Sequence, residues 1–185
     1  MPRQGLTRAR VVDEAAALAD QAGLEEVTFA GLAKRLGISA PALYKHVDGL
    51  SGLRRDLTVL GLTELTAQMR SATVGRSGRD ALLAAAESYR AYAERRPGMV
   101  NVVLRAPDPG DGEHEDAAIA ALDVMRQVFA AYDLAEPDLV HAVREMRVIM
   151  HGFAVLERAG GFGMDESLDE TYRRLIDALD RSLRR

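Results

Sequence analysis

Between Thr28 and Val47 two short apolar-striped segments are separated by only three residues, Gly37-Ile38-Ser39. Phe29, Leu32, Ala33 and Leu36 recur at helical spacing, and Thr28 is placed to cap the helix they predict. Gly37 stops that helix, because glycine enters the left-handed conformation that closes one. Ser39 can cap the next helix, Pro41 falls in its first turn, where proline is tolerated, and Leu43 and Val47 face inward. A three-residue link that begins with glycine is helix-turn-helix spacing, although plain helical corners share it.

The same periodicity continues along the chain. A first helix follows Thr7 through Val12, Ala15, Ala16, Leu18 and Ala19 and stops at Gly23. Asp48-Gly49 breaks the third helix, and Ser51 can cap a fourth through Leu53, Leu57, Leu60, Leu65 and Met69. A fifth helix runs from about Ser77, where Asp80 completes an imperfect capping box, to Arg95 before Pro97-Gly98. A short sixth spans 99–105, and the Pro/Gly-rich stretch 106–113 reads as a loop. Helices are expected at about 115–132, 138–159 and 166–183. No strand signal and no internal repeat interrupts this pattern. The expectation is an all-α chain of about nine helices, with residues 1–52 as one domain and 53–185 as a second. Few aromatics, no Trp and many Ala, Leu and Arg agree with helices over sheets.

Composition narrows the functional classes. With no cysteine there is no disulfide framework, thiolate metal site or Cys nucleophile. No apolar run reaches the roughly 20 residues a membrane span needs. The polar stretch before Leu6 has no signal-peptide core, so a soluble cytoplasmic protein is expected. The net charge of −4 is unevenly spread: residues 1–55 carry 8 Lys/Arg against 6 Asp/Glu, and the rest of the chain is acidic. The N-terminal part therefore permits nucleic acid without demanding it.

On the third helix Leu43 packs inward and leaves Ala40, Pro41, Ala42, Tyr44, Lys45 and His46 for the other faces. Lys45 offers a partner to phosphate or guanine, and Tyr44 a phosphate hydrogen bond with apolar contact. Small Ala40 and Ala42 let the backbone approach a groove, and Thr28 can hold a phosphate at a helix N-terminus. Tyr44 can equally be a half-buried packing residue, and His46 a cation on the helix C-terminal dipole. The run Thr28-Phe29-Ala30-Gly31-Leu32-Ala33-Lys34-Arg35-Leu36-Gly37-Ile38-Ser39-Ala40-Pro41-Ala42-Leu43-Tyr44-Lys45-His46-Val47 closely resembles the N-terminal domain of TetR-family repressors, over about residues 7–60. The resemblance implies DNA contacts at Thr28, Ser39, Ala40, Pro41, Tyr44, Lys45 and His46. It departs at Leu50, where the family usually has a phosphate-binding lysine; Arg54 or Arg55 can compensate, or Leu50 can pack on the third helix.

The second half resembles the C-terminal domain of a TetR subfamily with a Trp-His-Gly signature, on Met150-His151-Gly152-Phe153, Leu156-Glu157 and Gly160-Gly161-Phe162-Gly163. Gly152 also reads simply as close helix packing. A symmetric operator needs a two-fold protein. Leu139, Val143, Met146 and Met150, with Leu168, Leu175, Leu179 and Leu183, can supply half of a four-helix homodimer interface, or pack within the chain. Tyr89, Tyr92, Met99, Val103, Met125 and Phe129, with Met146, Ile149, Met150, His151 and Phe153, are the candidate lining of a pocket for a small apolar or amphipathic ligand, a family-level expectation beside an ordinary core. Together these features predict a ligand-responsive repressor that binds a palindromic double-stranded operator as a dimer.

Two rival classes remain at this level. An enzyme is disfavoured: His46, His114, His141 and His151 lack HExxH spacing, Glu145 pairs only with His141, and no phosphate loop follows a strand. A helical interaction module that has lost DNA binding is the alternative. The sequence implies no cofactor and no metal.

Overall fold

The computed structural model describes residues 6–184; the polar stretch before Leu6 lies outside them. The described residues form eight α-helices and three single 3-10 turns, without a strand. In chain order they are α1 (Arg8–Ala22), α2 (Phe29–Leu36), α3 (Ala40–Leu43), α4 (Gly49–Thr73), α5 (Gly78–Arg95), α6 (Gly112–Phe129), α7 (Glu136–Arg158) and α8 (Leu168–Leu183). None is long and apolar enough to cross a membrane.

Several ends follow from single side chains. The Thr7 hydroxyl accepts from the Arg10 amide and caps α1, and Ser167 caps α8 through the Glu170 amide. Gly37 closes α2 at φ 67, with its N–H on the last carbonyls of that helix. Other expectations shift. The third helix holds only four residues before hydrogen-bonded turns carry the chain to Val47. The fourth starts at Gly49, on the Asp48 carbonyl, rather than being capped by Ser51. The expected sixth helix over 99–105 is a turn followed by one 3-10 turn, Val102–Leu104, because Gly98 is pinned against α1 and the chain cannot coil freely after it. The stretch expected as a loop to 113 ends earlier, at the start of α6.

The chain divides into two compact units. The first comprises 1–63 and 96–118, the second 64–95 and 119–185. They do not follow the consecutive 1–52 and 53–185 division, because the segment after α5 packs back onto the N-terminal helices. In the first unit Val11, Ala15, Leu32, Leu43, Leu53, Leu57 and Met99 have no exposed surface. The alanine face of α1 lets the returning chain approach closely: the Gly98 N–H donates to Asp20 Oδ1 at 2.9 Å, and Arg96 pairs with the same carboxylate at 3.0 Å.

In the second unit α5, α7 and α8 pack on one another. Tyr172 is buried and donates to the Ala86 carbonyl at 2.8 Å. The Arg90 guanidinium lies over the rings of Phe153 and Tyr172, 5.3 and 5.4 Å from their centroids. It also pairs with Glu157 on α7 and with Asp169 on α8, so one side chain of α5 ties three helices together.

Candidate nucleic-acid interface

The Thr28 side chain caps α2 by accepting from the Gly31 amide at 3.1 Å; its hydroxyl proton remains free for an acceptor outside the helix. Leu32 and Leu43, both without exposed surface, join α2 to α3 and fix their crossing. Ser39 sits at the N-cap of α3, but its hydroxyl makes no capping bond. Ser39 and Pro41 are exposed, while Ala40, Ala42 and His46 are half-buried.

Tyr44 is 66% exposed, so it is not a half-buried packing residue. The Phe29 ring meets it edge-on, with centroids 4.7 Å apart and planes at 72°. An exposed tyrosine held at its base by another aromatic projects its hydroxyl outward with little rotamer freedom left to lose. The sequence groups Phe29 with Leu32, Ala33 and Leu36 on one stripe of α2 and does not reveal this brace. Lys45 is exposed beside Tyr44 and has no partner among the described residues. The turn from Ala40 to His46 thus presents small, hydroxyl and cationic groups together, the set that base edges and phosphates require.

The same unit holds an ion-pair cluster that the sequence did not reveal. Arg8 on α1 grips the buried Asp56 carboxylate at 2.8 and 2.5 Å. Arg55 grips Asp111 with two bonds, and Glu113 accepts from both arginines, at 3.0 Å from Arg8 and 2.9 Å from Arg55. The arginines hold both Asp111 and Glu113 below their ordinary carboxylate values. Arg55 is therefore occupied internally and does not replace the missing lysine. Leu50 is half-buried. Residues 48 to 105 positions apart meet in this cluster, which no local pattern announces.

The candidate pocket residues are nearly all buried, Ile149 and His151 being half-buried. They do not fall in one unit. Met99 and Val103 belong to the first, where Val103 Cγ1 lies 2.9 Å from the place a Cβ on Gly61 would take. Tyr89, Tyr92, Met125, Phe129, Met146, Ile149, Met150, His151 and Phe153 belong to the second. There the Tyr89 hydroxyl and His151 Nδ1 are 3.0 Å apart. Burial raises Tyr89 to about 12, and burial, with Arg147 adding to it, lowers His151. A polar cleft of about 530 Å³ between α4 and α5, lined by Gln68, Ser71, Arg76, Ser88 and Arg95 among others, includes none of these side chains.

Of the dimer candidates, Met146, Met150 and Leu179 are buried within their own unit. Leu139, Val143, Leu168 and Leu183 are half-buried. Leu175 on α8 is the candidate left exposed, and α7 exposes residues outside the candidate set, Val140, Val148, Val155 and Leu156. Gly152 lies one turn from Val148, and a Cβ there would meet nothing within 4 Å, so no packing within the chain explains it. No group of three or more His, Asp or Glu that could hold a metal occurs among the described residues.

Residues 11–47 match the family model for bacterial regulatory proteins of the tetR family, and residues 82–179 match that for the tetracyclin repressor-like C-terminal domain. The uncharacterized HTH-type transcriptional regulator YobS of Bacillus subtilis is 35% identical over 170 residues, covering 92% of this chain and 88% of that protein. The fold is shared with BioQ bound to its double-stranded DNA operator (TM-score 0.65, 19% identity, 95% and 99% of the two chains). It is also shared with a TetR variant from Acinetobacter baumannii in complex with minocycline (TM-score 0.68, 21% identity, 96% of each chain). Family models match the helix-turn-helix and the stretch from α5 to α8, and a 35% identical relative is matched over 88% of its length, in a family of transcriptional regulators rather than enzymes: the chain belongs to the TetR family of DNA-binding transcriptional regulators.

Proposed function

We propose that this regulator is a ligand-responsive repressor that holds a palindromic operator as a homodimer, with Thr28, Ser39, Ala40, Pro41, Tyr44, Lys45 and His46 as its DNA contacts. The observation that carries the reading is the exposed Tyr44, braced by Phe29 next to an unpaired Lys45 on a turn anchored by fully buried Leu43. Solubility gives no reason to fix a tyrosine there; a groove of DNA does.

The second copy is proposed to cover the exposed apolar stripe of α7 and α8. Val148 is 72% exposed and Gly152 offers open backbone one turn on, which lets a partner helix approach closely. Of the residues first expected at this interface Leu175 stays exposed, Met146, Met150 and Leu179 fill the core, and Leu139, Val143, Leu168 and Leu183 are half-buried. Half-sites one helical turn apart, about 34–36 Å or a multiple, would then be read together.

The ligand site is proposed within the second unit, around Tyr89, Tyr92, Met125, Phe129, Met146, Ile149, Met150, His151 and Phe153, for a small apolar or amphipathic compound. A protein of similar fold is in complex with minocycline, which supports a small-molecule ligand for this chain. Tyr89 and His151 supply a paired polar handle within electrostatic reach of Arg147. Binding can release DNA only to the extent that the ligand prefers the released conformation.

Selection of bound sequences from a random DNA pool tests the reading. A palindromic consensus that disappears with Tyr44→Ala or Lys45→Ala supports it. Enrichment that survives both substitutions, or no enrichment at any salt, overturns it.

A further inference from the structure

The cations of the first unit are not equivalent. Arg8 and Arg55 are consumed by Asp56, Asp111 and Glu113, and Arg35 by Glu14 and Gln21. Lys34, Lys45 and Arg54, by contrast, are exposed and have no side-chain partner among the described residues. Arg54 stands on the second turn of α4, the helix that begins at Gly49 directly after the Ala40–His46 turn. It is four residues after Leu50, so the two share one face of the helix. Side chains on a helix lean toward its N-terminus, and a long one covers the turn before its own Cα. By that rule the Arg54 side chain leans toward the first turn of α4 at Leu50 and Ser51, the end of the helix that follows the segment bearing Tyr44 and Lys45. Arg55, one residue on, points about 100° further round the helix, into the carboxylate cluster.

We infer that Arg54 is a phosphate contact of this regulator, reaching from the second turn of α4 across Leu50, and that Arg55 is not one. This rests on the assignment of the α2–α3 surface to DNA. Leaving a solvated arginine unpaired costs the fold nothing. It gives the protein a cation that releases a counterion when a phosphate replaces water.

The test is operator binding by fluorescence anisotropy across a salt series, using the full chain and a duplex obtained by selection. Each lost phosphate contact reduces the slope of log K against log salt by about 0.9. Because each protomer of the dimer loses one contact, Arg54→Gln is expected to lower the slope by about 1.8 and to leave thermal melting and the preferred sequence unchanged. Leu50→Lys added to Arg54→Gln is expected to restore the slope, because it returns a cation to the same face. Arg55→Gln is expected to lower stability and keep the wild-type slope. A wild-type slope for Arg54→Gln, with Tyr44→Ala still abolishing binding, overturns the Arg54 contact alone. A slope reduced in Arg55→Gln as much as in Arg54→Gln overturns the distinction between the two. If Tyr44→Ala also binds normally, the assignment of the α2–α3 surface fails and takes this inference with it.

Discussion

Gly98→Ala probes the tightest backbone contact in the first unit. A Cβ at this position would fall on the carbonyl carbon and oxygen of Ala19 and 2.6 Å from the Asp20 nitrogen. These are main-chain atoms in the last turns of α1 and cannot rotate away. Carbon contacts are comfortable only at about 3.5–4.0 Å, so the segment after α5 must retreat by about 1.5 Å. Retreat stretches the Gly98 N–H bond to Asp20 Oδ1, now 2.9 Å, and loosens the Arg96 pair on the same carboxylate. Overpacking alone costs about 1–3 kcal/mol. Losing a hydrogen bond to a charged acceptor adds about 1.5–3 kcal/mol. The combined loss is about 2.5–6 kcal/mol, a large share of the roughly 5–15 kcal/mol that holds a typical domain. Urea denaturation followed by circular dichroism reads it. Two other glycines calibrate the scale. A Cβ on Gly61 meets side-chain atoms of Val103 and Val102 at 2.9 and 3.3 Å, which can rotate, so Gly61→Ala is expected to cost about 1 kcal/mol. At Gly163 nothing lies within 4 Å, and Gly163→Ala is expected to be neutral. A Gly98→Ala protein that unfolds at the wild-type urea midpoint would refute the steric argument, as would a Gly61→Ala protein that is the less stable of the two.

Arg90→Ala removes an ion pair with Glu157, another with Asp169 and the stacking over Phe153 and Tyr172; a loss of about 3 kcal/mol is expected in thermal or urea melts, and Arg90→Lys should recover little, since lysine lacks the planar fork. Asp111 and Glu113 titrate below their ordinary values in the folded chain, so their contribution is present above about pH 4.5 and drains away as pH falls through the folded values; Arg55→Gln is expected to flatten this acid limb of the stability curve. Val148→Asp places a charge in the stripe proposed to meet a second copy and is expected to raise the dimer dissociation constant at least tenfold in sedimentation equilibrium, with the melting of the monomer unchanged, because Val148 is exposed within the chain. Phe29→Ala is expected to weaken operator binding several-fold by freeing the Tyr44 ring, an effect read in the same anisotropy assay as Tyr44→Ala.

Features written in a few adjacent residues were legible in the sequence. Thr7 and Thr28 cap helices where their hydroxyls meet the third amide onward, and Gly37 closes α2 at a positive φ. The α2–α3 spacing with Tyr44 and Lys45 exposed follows from the same local chemistry. Where the outcome depended on distant partners, the sequence was silent or misleading. Residues 99–105 carry helical periodicity, yet Gly98 is claimed by Asp20, 78 positions away, and the apolar side chains that follow are used as packing rather than as a helix face. Arg55 looked as free as Arg54 until Asp111 and Glu113 were found beside it. On α7 and α8 the apolar residues outnumber what one face can hold. Only the packed structure tells that Met146 and Leu179 are inside while Val148 is out.

The division of the chain into 1–63 with 96–118, and 64–95 with 119–185, has a consequence for how such a protein can be made and recombined. On the ribosome the helix-turn-helix emerges first, but Asp20 waits for Arg96 and Gly98, and Arg55 waits for Asp111 and Glu113. A nascent chain stopped at residue 63 would display the reading surface on an incomplete base, with a carboxylate and an arginine left without their counterparts. Grafting that fragment onto a foreign sensor would carry the same defect unless the graft also brought residues 96–118. Inheritance of DNA specificity and of ligand specificity as separate cassettes is therefore constrained in this chain: the piece that must travel with the reader is encoded inside the gene segment of the sensor.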